Sequence, residues 1–319
     1  GFAHFAGHRW NWQVDPLQVR AATDVGVAVV ELLRVFTKPG DKVLFSSPIY
    51  QNFYTWMRET HVEMVDVPFQ TGAETSDQTG WSHDWAGIEA AYKSGIAVHL
   101  LCSPHNPLGK VYTREDLLRI VELAKRYGVV VISDEIHAPL TYKEQPFIPF
   151  LSLGDVAAEV GIAVSAASKG WNIAGLKCAI IISQSEKMHE KLNQLPPALH
   201  YRASLLGAFA TVAAFEKGEP WLDQAIEILD ENRQLIANLI SARIPAVKYA
   251  MPHCSYLAWL DLSALNLGED PGAMLIEKAK VAFNSGHIYG ALGKTHVRLN
   301  FATSPAIITE AIERIARVL

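Results

Sequence analysis

Cysteine and long apolar runs are both scarce in this chain. Its 319 residues include 3 cysteines, Cys102, Cys178 and Cys254, and no CxxC pair. This usage points away from a disulfide framework and towards a reducing compartment, so we expect a cytoplasmic protein. No apolar run approaches the ~20 residues that a membrane-spanning helix needs, so no membrane partner is expected.

The sequence also lacks an excess of positive charge. Lysine and arginine total 28 against 33 acidic residues, which gives a net charge of −5 and a pI near 6.2. General nucleic-acid binders are usually basic, so we expect no nucleic-acid partner. Half of the residues are hydrophobic and 19% are charged, as is ordinary for a globular protein.

Several well-known catalytic motifs are missing. No GxGxxG follows the first predicted strand and no Walker A motif is present, which disfavours a dinucleotide or nucleotide site. The histidines form no HExxH or Cys/His cluster, so no metal centre is predicted. A Ser-His-Asp hydrolase would need GxSxG, which is also absent.

Apolar strand-like runs alternate with helical patterns between Leu17 and Ser183. The runs are continuous and β-branched, which predicts a mainly parallel sheet covered on both faces, in an α/β architecture. Predicted strands cover 41–46, 97–102, 129–133, 162–165, 177–182, 256–260 and 297–301. Predicted helices cover 25–36, 113–124 (with a Thr113/Asp116 capping box), 202–216, 221–243, 271–282 and 308–318.

The pattern changes after about Leu195, where long helices precede a mixture of strands and helices. We therefore predict a large domain over 1–220 and a smaller C-terminal α+β domain over 221–319, with the boundary near Pro220. The first ten residues lack the features of a signal peptide and are typical of the middle of a helix. We expect an N-terminal segment to be missing from this chain.

Polar and charged side chains follow three of the predicted strands. Asn106 follows the first, Asp134 and His137 the second, and Ser168 and Lys169 the third. Ligands of open parallel sheets bind beyond the carboxyl ends of the strands. Buried charges at such positions are costly unless they are paired or used.

Pyridoxal phosphate is the cofactor that these loops suit. It needs a lysine for a Schiff base, a carboxylate that keeps the pyridine nitrogen protonated, phosphate donors, and usually an aromatic ring on its face. Lys169, Asp134, Ser168 and Tyr50 match these needs in turn.

Several motifs together identify the sequence as similar to a known family. It resembles the fold-type I pyridoxal-phosphate enzymes of the class I/II aminotransferase superfamily, which have the aspartate aminotransferase fold, and more closely the cystathionine β-lyase (C–S lyase) branch of the MalY and PatB type. The segments that carry the resemblance are PGDKVL (39–44) with SPIY (47–50), LLCSPHNPLGKV (100–111), VISDEIH (131–137), SKGWNIAGLK (168–177), SYLAWLDL (255–262) and VRLNF (297–301).

The resemblance implies roles for individual residues. Lys169 would hold the cofactor and then take the Cα proton, and Asp134 would pair with the pyridinium nitrogen. Asn106 would bond the cofactor O3′, and Tyr50 would stack on the ring and count among the catalytic residues. Arg298 would clamp the substrate carboxylate, for which its planar fork is suited.

Each of these roles has a plainer alternative. Lys169 could be a surface lysine, Asp134 a helix N-cap, and Asn106 an Asn-Pro turn residue. Tyr50 could be a packed core residue. Arg298 could face solvent from an alternating strand.

The phosphate site is less well defined by the sequence. Backbone N–H groups of Asp24 and Val25, at the start of the helix over 25–36, are candidates together with Ser168 and Lys177. The Asp24 carboxylate should point away from a bound dianion. A family serine three residues before the lysine is here Ala166, so one phosphate contact is expected to be missing.

Two further side chains remain candidates. His137 lies where related transaminases have a tyrosine near O3′, although a structural histidine at a strand end is an equal alternative. Asn172 is a second candidate substrate-binding residue besides Arg298.

The resemblance implies a C–S β-lyase that cleaves L-cystathionine or related cysteine S-conjugates to pyruvate, ammonia and a thiol. An aminotransferase is the alternative, because both reactions begin with the same proton abstraction. A regulatory protein that acts through protein contacts is a third possibility. The family also implies a homodimer, and about 70 further N-terminal residues in relatives.

Overall fold

A computed structural model describes residues 1–71 and 79–319 of the chain. The strands among these residues are β1 (Val19–Ala22), β2 (Lys42–Phe45), β3 (Glu63–Asp66), β4 (Gln70–Thr71), β5 (Trp81–Ser82), β6 (Ile96–Cys102), β7 (Val130–Asp134), β8 (Gly161–Ser165), β9 (Ala179–Ile182), β10 (Lys248–Tyr249), β11 (Leu257–Asp261), β12 (Asn284–Ser285) and β13 (His296–Asn300). The α-helices are α1 (Phe2–Trp10), α2 (Val25–Phe36), α3 (Asn52–Glu59), α4 (Trp85–Lys93), α5 (Arg114–Tyr127), α6 (Asp155–Val160), α7 (Ala167–Gly170), α8 (Glu186–Leu192), α9 (Ala198–Tyr201), α10 (Leu205–Lys217), α11 (Glu219–Arg243), α12 (Pro271–Ala279) and α13 (Pro305–Ala316).

The central sheet has seven strands in the order β1-β9-β8-β7-β6-β2-β3. The strands from β8 to β3 are parallel, whereas β9 runs antiparallel to both of its neighbours. The predicted mainly parallel sheet is confirmed. The reversal at β9 could not be foreseen, because a strand buried on both faces is apolar whichever way it runs.

Helices cover both faces of this sheet, as the continuous apolar runs predict. Val131 packs in a core with Ile120 of α5, while the next residue, Ile132, packs with Val29 of α2 on the opposite face. Successive side chains of a strand point to opposite faces. Every position of β7 from Val131 onwards is therefore buried.

A second, antiparallel sheet of four strands, β10-β11-β13-β12, forms from the C-terminal part of the chain. The long helices α11 and α13 contact each other. The mixture of strands and helices that the sequence predicts there is present. Trp259 of β11 stacks on His296 of β13, with ring centroids 5.0 Å apart.

Several helices begin or end where a local residue caps them. The predicted capping box of α5 is present, with the Asp116 N–H donating to the Thr113 hydroxyl over 3.1 Å. Helix α10 begins at Leu205, three residues later than predicted, because Ser204 caps it. Helix α12 ends at Ala279, earlier than predicted, because Lys280 adopts a left-handed φ of 56°.

Within residues 1–71 and 79–319, no helix has both the length and the apolar character required to cross a membrane.

A buried arginine joins α11 to two loops beside the central sheet. Arg233, 5% exposed, donates to the Pro252 carbonyl over 2.9 Å and to the Glu144 carboxylate over 3.0 Å. It also pairs with Asp230 over 2.6 Å, and its guanidinium lies 3.9 Å from the centre of the Tyr142 ring.

Replacing this arginine should destabilise the fold. Arg233→Ala leaves the Pro252 carbonyl without its donor and empties a packed position, so we expect the free energy of unfolding to fall by about 3 kcal/mol. Urea denaturation measures the change. Arg314→Ala, which removes an exposed pair with Glu310, is the control and should cost less than about 0.5 kcal/mol. Equal losses in the two variants would contradict this role.

Candidate active site

A cavity of about 580 Å³ opens at the carboxyl ends of the central parallel strands. Residues from both sheets line it, as do the first residues of α2. The predicted site residues among them are Asp24, Val25, Tyr50, Asn106, Asp134, His137, Ser168, Lys169, Lys177 and Arg298. The structure therefore brings together residues that lie up to 274 positions apart in the sequence, from Asp24 to Arg298.

Lys169 enters the cavity from the short helix α7, which follows β8 directly. Its side chain is half-buried, so it is not the surface lysine of the plainer interpretation. Burial and the nearby Arg298 guanidinium lower the pKa of Lys169, and the Asp134 carboxylate partly opposes them. A lowered pKa increases the fraction of neutral amine, the form that acts as a nucleophile and base.

Asp134 is the last residue of β7 and is 4% exposed. It is not a helix N-cap. Its carboxylate accepts one backbone hydrogen bond, from the Ile136 N–H over 3.2 Å. Burial raises the pKa of Asp134 to about 7, although that hydrogen bond and Lys169 both lower it.

Asn106, in the turn after β6, and Arg298, on β13 of the second sheet, are hydrogen bonded to each other. Arg298 Nη1 donates to Asn106 Oδ1 over 3.0 Å, and Nη2 donates to Asn284 Oδ1 over 3.1 Å. The guanidinium lies 4.9 Å from the centre of the Tyr289 ring. Arg298 is thus held inside the cavity rather than facing solvent. Its buried Nε has no partner among the described residues.

Tyr50 is half-buried at the cavity wall. Its hydroxyl accepts a hydrogen bond from Asn52 Nδ2 over 2.9 Å, and its ring lies edge-on to Trp56 at 6.1 Å. Burial raises the pKa of this hydroxyl, so Tyr50 remains neutral. The ring faces the cavity and is not sequestered in the core.

The N-terminus of α2 carries an unexpected ion pair. The Asp24 carboxylate caps this helix end. It accepts from the Val27 N–H over 2.8 Å and pairs with Lys177 Nζ at 3.0 Å. A helix N-terminus favours a negative charge, and the Asp24 carboxylate caps the first turn of α2 there.

Of the two remaining candidates, His137 lines the cavity and Asn172 does not. His137 lines the cavity, and its Nδ1 lies 3.0 Å from the Ser255 hydroxyl. Burial, Lys169 and Arg298 lower the pKa of His137 to about 3, so the ring is neutral. Asn172 is exposed, has a φ of 55° and does not line the cavity. Its prediction as a substrate-binding residue is not supported by this position.

Some cavity residues escaped the sequence analysis. Tyr256 and Cys102 line the wall, and Asn284 and Tyr289 hold Arg298 in place. Tyr256 lies within SYLAWLDL (255–262), one of the segments that carry the family resemblance, so the sequence did contain a signal for this residue. Asn284 and Tyr289 belong to no such motif, and only the fold reveals their contacts with Arg298.

The cavity suits the cofactor that the sequence suggests. A buried carboxyl whose pKa rises to about 7 is one that lacks a strong cationic partner. A pyridinium nitrogen would supply that charge. Lys169, the Asn106 amide, the Tyr50 ring and the start of α2 would provide the other contacts.

Comparisons with known proteins agree with this geometry. The sequence profile of the aminotransferase class I and II family matches residues 2–315. Cystathionine β-lyase of Corynebacterium glutamicum is 34% identical over 315 residues, covering 99% of this chain and 82% of that protein. Cystathionine β-lyase PatB of Bacillus subtilis is 33% identical over 319 residues, covering 98% and 80%. Cystalysin of Treponema denticola, whose crystal structure contains pyridoxal 5′-phosphate, superposes with a TM-score of 0.93 at 26% identity, over 99% of this chain and 80% of that one.

The buried carboxyl predicts a pH dependence of stability in the cofactor-free protein. The folded pKa of Asp134, about 7, lies above the ordinary value of 3.8. The folded state therefore binds more protons than the unfolded chain between these values, and its stability falls as the pH rises through this window.

Asp134→Asn should remove this contribution. At about pH 8.5 we expect the cofactor-free variant to be more stable than the wild type by at least about 1 kcal/mol, with the gain vanishing near pH 4. Denaturation at both pH values measures it. Glu159→Gln, at an exposed carboxylate, should change neither value. A gain that is the same at both pH values would contradict the assignment.

Proposed function

This chain belongs to the aminotransferase class I and II family, and from that premise we propose that it is a pyridoxal-phosphate-dependent C–S β-lyase. Its substrates are L-cystathionine or related cysteine S-conjugates, and its products are pyruvate, ammonia and a thiol. The relatives named cystathionine β-lyase, which match nearly the whole chain, support this choice. The observation that carries the proposal is the meeting of Lys169 and Asp134 in one cavity.

The cofactor, when bound, supplies an electron sink that lets a proton leave the substrate Cα. Asp134 would face the pyridine nitrogen of a bound cofactor. Its burial at the end of β7 makes an unpaired carboxylate unfavourable. Beside a bound cofactor, this carboxylate would accept a hydrogen bond from the pyridine N–H and would keep that nitrogen protonated.

Lys169 would hold the cofactor through its Nζ and then act as the base. With that amine free once the substrate is bound, Nζ takes the Cα proton. Burial and Arg298 favour the neutral amine, as this step requires. The electron pair from the Cα–H bond then expels the β-thiolate. Water converts the remaining three-carbon enamine to pyruvate and ammonia.

Arg298 binds the substrate α-carboxylate. Its two Nη atoms are held by Asn106 and Asn284, and its buried Nε has no partner among the described residues. An incoming carboxylate would satisfy Nε and share Nη. Asn106 accepts from Arg298 through Oδ1, which leaves its Nδ2 to donate to the cofactor O3′. One contact therefore links substrate binding to cofactor binding.

The phosphate is held at the start of α2 in this proposal. The Val25 N–H, Ser168 and Lys177 are the donors, at a helix end suited to anions. Lys177 pairs with Asp24 over 3.0 Å, and because its ammonium has three N–H donors it could donate to the phosphate as well.

We further propose a homodimer. Helix α10 presents Leu205, Leu206 and Phe209 to solvent, each 65–71% exposed. This apolar face adjoins the cavity, because the Ser204 N–H that precedes it donates to the carbonyl of Lys177 over 2.9 Å. A second copy of the chain would cover the face and complete the cavity rim.

Two further predictions remain proposals. One is the division into a domain over 1–220 and a domain over 221–319, and the other is a cytoplasmic location, which is in keeping with the free cysteines.

The dimer proposal predicts a change in mass. Phe209→Asp places a charge in the apolar face of α10, so we expect light scattering to show a monomer where the wild type is a dimer. Ile307→Asp, at another exposed apolar residue on α13 (60% exposed), should leave the dimer intact. Dimers in both variants would exclude α10 from the interface.

The mechanism predicts the loss of turnover when the base is removed. Lys169→Ala should reduce pyruvate release from L-cystathionine at least about a thousandfold, because both the anchor and the base are lost. Added ethylamine should restore part of the rate by supplying the base from solution. Lys187→Ala, at an exposed lysine, is the control. Undiminished turnover in Lys169→Ala would contradict the proposed mechanism.

A further inference from the structure

His105 precedes the site residue Asn106 but lies outside the cavity lining, at 2% exposure. Its Nε2 lies 2.8 Å from the carbonyl of Pro48 and its Nδ1 lies 2.9 Å from the hydroxyl of Tyr112. A carbonyl only accepts, so Nε2 carries the hydrogen and donates it. Nδ1 then accepts from Tyr112.

This pair of hydrogen bonds joins two loops of the candidate site. Pro48 lies two residues before Tyr50, and His105 one residue before Asn106. The turn around Asn106 is itself fixed, because the His105 N–H donates to the Lys110 carbonyl over 2.8 Å. The His105 ring therefore acts as a spacer between a rigid turn and the Tyr50 loop.

The contacts continue around a closed circuit. The Ile49 N–H donates to the Tyr289 carbonyl over 2.8 Å, and the Tyr289 ring packs against the Arg298 guanidinium. Arg298 in turn donates to Asn106, the neighbour of His105. The link from His105 to Pro48 closes this circuit, and without it the Tyr50 loop could shift relative to Asn106.

We propose that His105 is a positioning residue, which fixes the Tyr50 loop and the Asn106 turn at the separation that the cofactor ring requires. This inference rests on the proposed function. Burial lowers the pKa of His105 to about 4, so the ring stays neutral and keeps this donor and acceptor arrangement at physiological pH.

The chain contains a matched control for this pair. Tyr92 and His99 form a second buried pair, with the Tyr92 hydroxyl 2.8 Å from His99 Nδ1. Neither residue lines the cavity or adjoins one that does. Tyr92→Phe therefore reports the structural cost of breaking such a pair while leaving the bonds of His105 to Pro48 and Tyr112 in place.

The experiment compares His105→Phe, His105→Gln, Tyr112→Phe and Tyr92→Phe with the wild type. Two readouts do not depend on turnover: the Kd for pyridoxal phosphate, from absorbance titration of cofactor-free protein, and the pH midpoint of the visible absorption change of the loaded protein. A donor at the cofactor ring oxygen stabilises its anion, so a displaced Asn106 should raise that midpoint.

We expect His105→Phe to weaken cofactor binding about tenfold and to raise the midpoint, with a smaller change in Tyr112→Phe. His105→Gln keeps an amide donor for the Pro48 carbonyl and should recover part of both losses. Tyr92→Phe should lower thermal stability and leave both readouts at wild-type values.

Two results would overturn the inference in distinguishable ways. If the wild type fails to bind pyridoxal phosphate, the proposed function fails and this inference fails with it. If the wild type binds the cofactor, but the His105 and Tyr112 variants match Tyr92→Phe in both readouts, then His105 is only a packed core residue. If His105→Phe does not fold, Tyr112→Phe and His105→Gln decide between these outcomes.

Discussion

A carboxyl group buried at the end of β7 is the constraint around which this site is organised. Asp134 is 4% exposed and accepts one backbone hydrogen bond, so its charge is poorly solvated in the protein alone. A cationic ring nitrogen would relieve that cost, and it would do so only in one orientation. The position of the carboxyl thus dictates which way a pyridine ring must face, and Lys169, Asn106 and Tyr50 surround the place where it would lie.

Arg298 couples the two sheets of the molecule. It belongs to β13 of the C-terminal sheet, yet its guanidinium bonds Asn106 from the loop after β6 of the central sheet. In the proposed mechanism, substrate recognition by Arg298 and cofactor contact by Asn106 therefore both depend on how the two sheets pack. Arg233 on α11 contacts the loops that carry Glu144 and Pro252 and so also joins the C-terminal part to the rest of the chain.

The sequence predicted those parts of the fold and site that local patterns encode. The apolar run of β7 indicates a buried strand, and the capping box of α5 indicates where a helix begins. Both signals lie in residues that are adjacent in the sequence. Strand-end positions bring Asn106, Asp134 and Lys169 together, because parallel strands share one carboxyl edge.

Contacts between distant segments were not predictable in this way. Three features depend on how distant segments meet in space. They are the reversed direction of β9, the Asp24–Lys177 ion pair, and the contacts of Asn284 and Tyr289 with Arg298. Asn172, whose φ is 55°, lies outside the residues that line the cavity, and its role as a substrate-binding residue stays a prediction.

The most direct test of the central claim is an analysis of the products formed by the cofactor-loaded protein from L-cystathionine, with and without an added 2-oxo acid. A C–S β-lyase releases pyruvate and ammonia in equal amounts without the oxo acid, and this is the result we predict. Turnover that requires the oxo acid and converts it to a new amino acid would contradict the account, because Lys169 would then return the proton to the cofactor and no thiolate would be expelled.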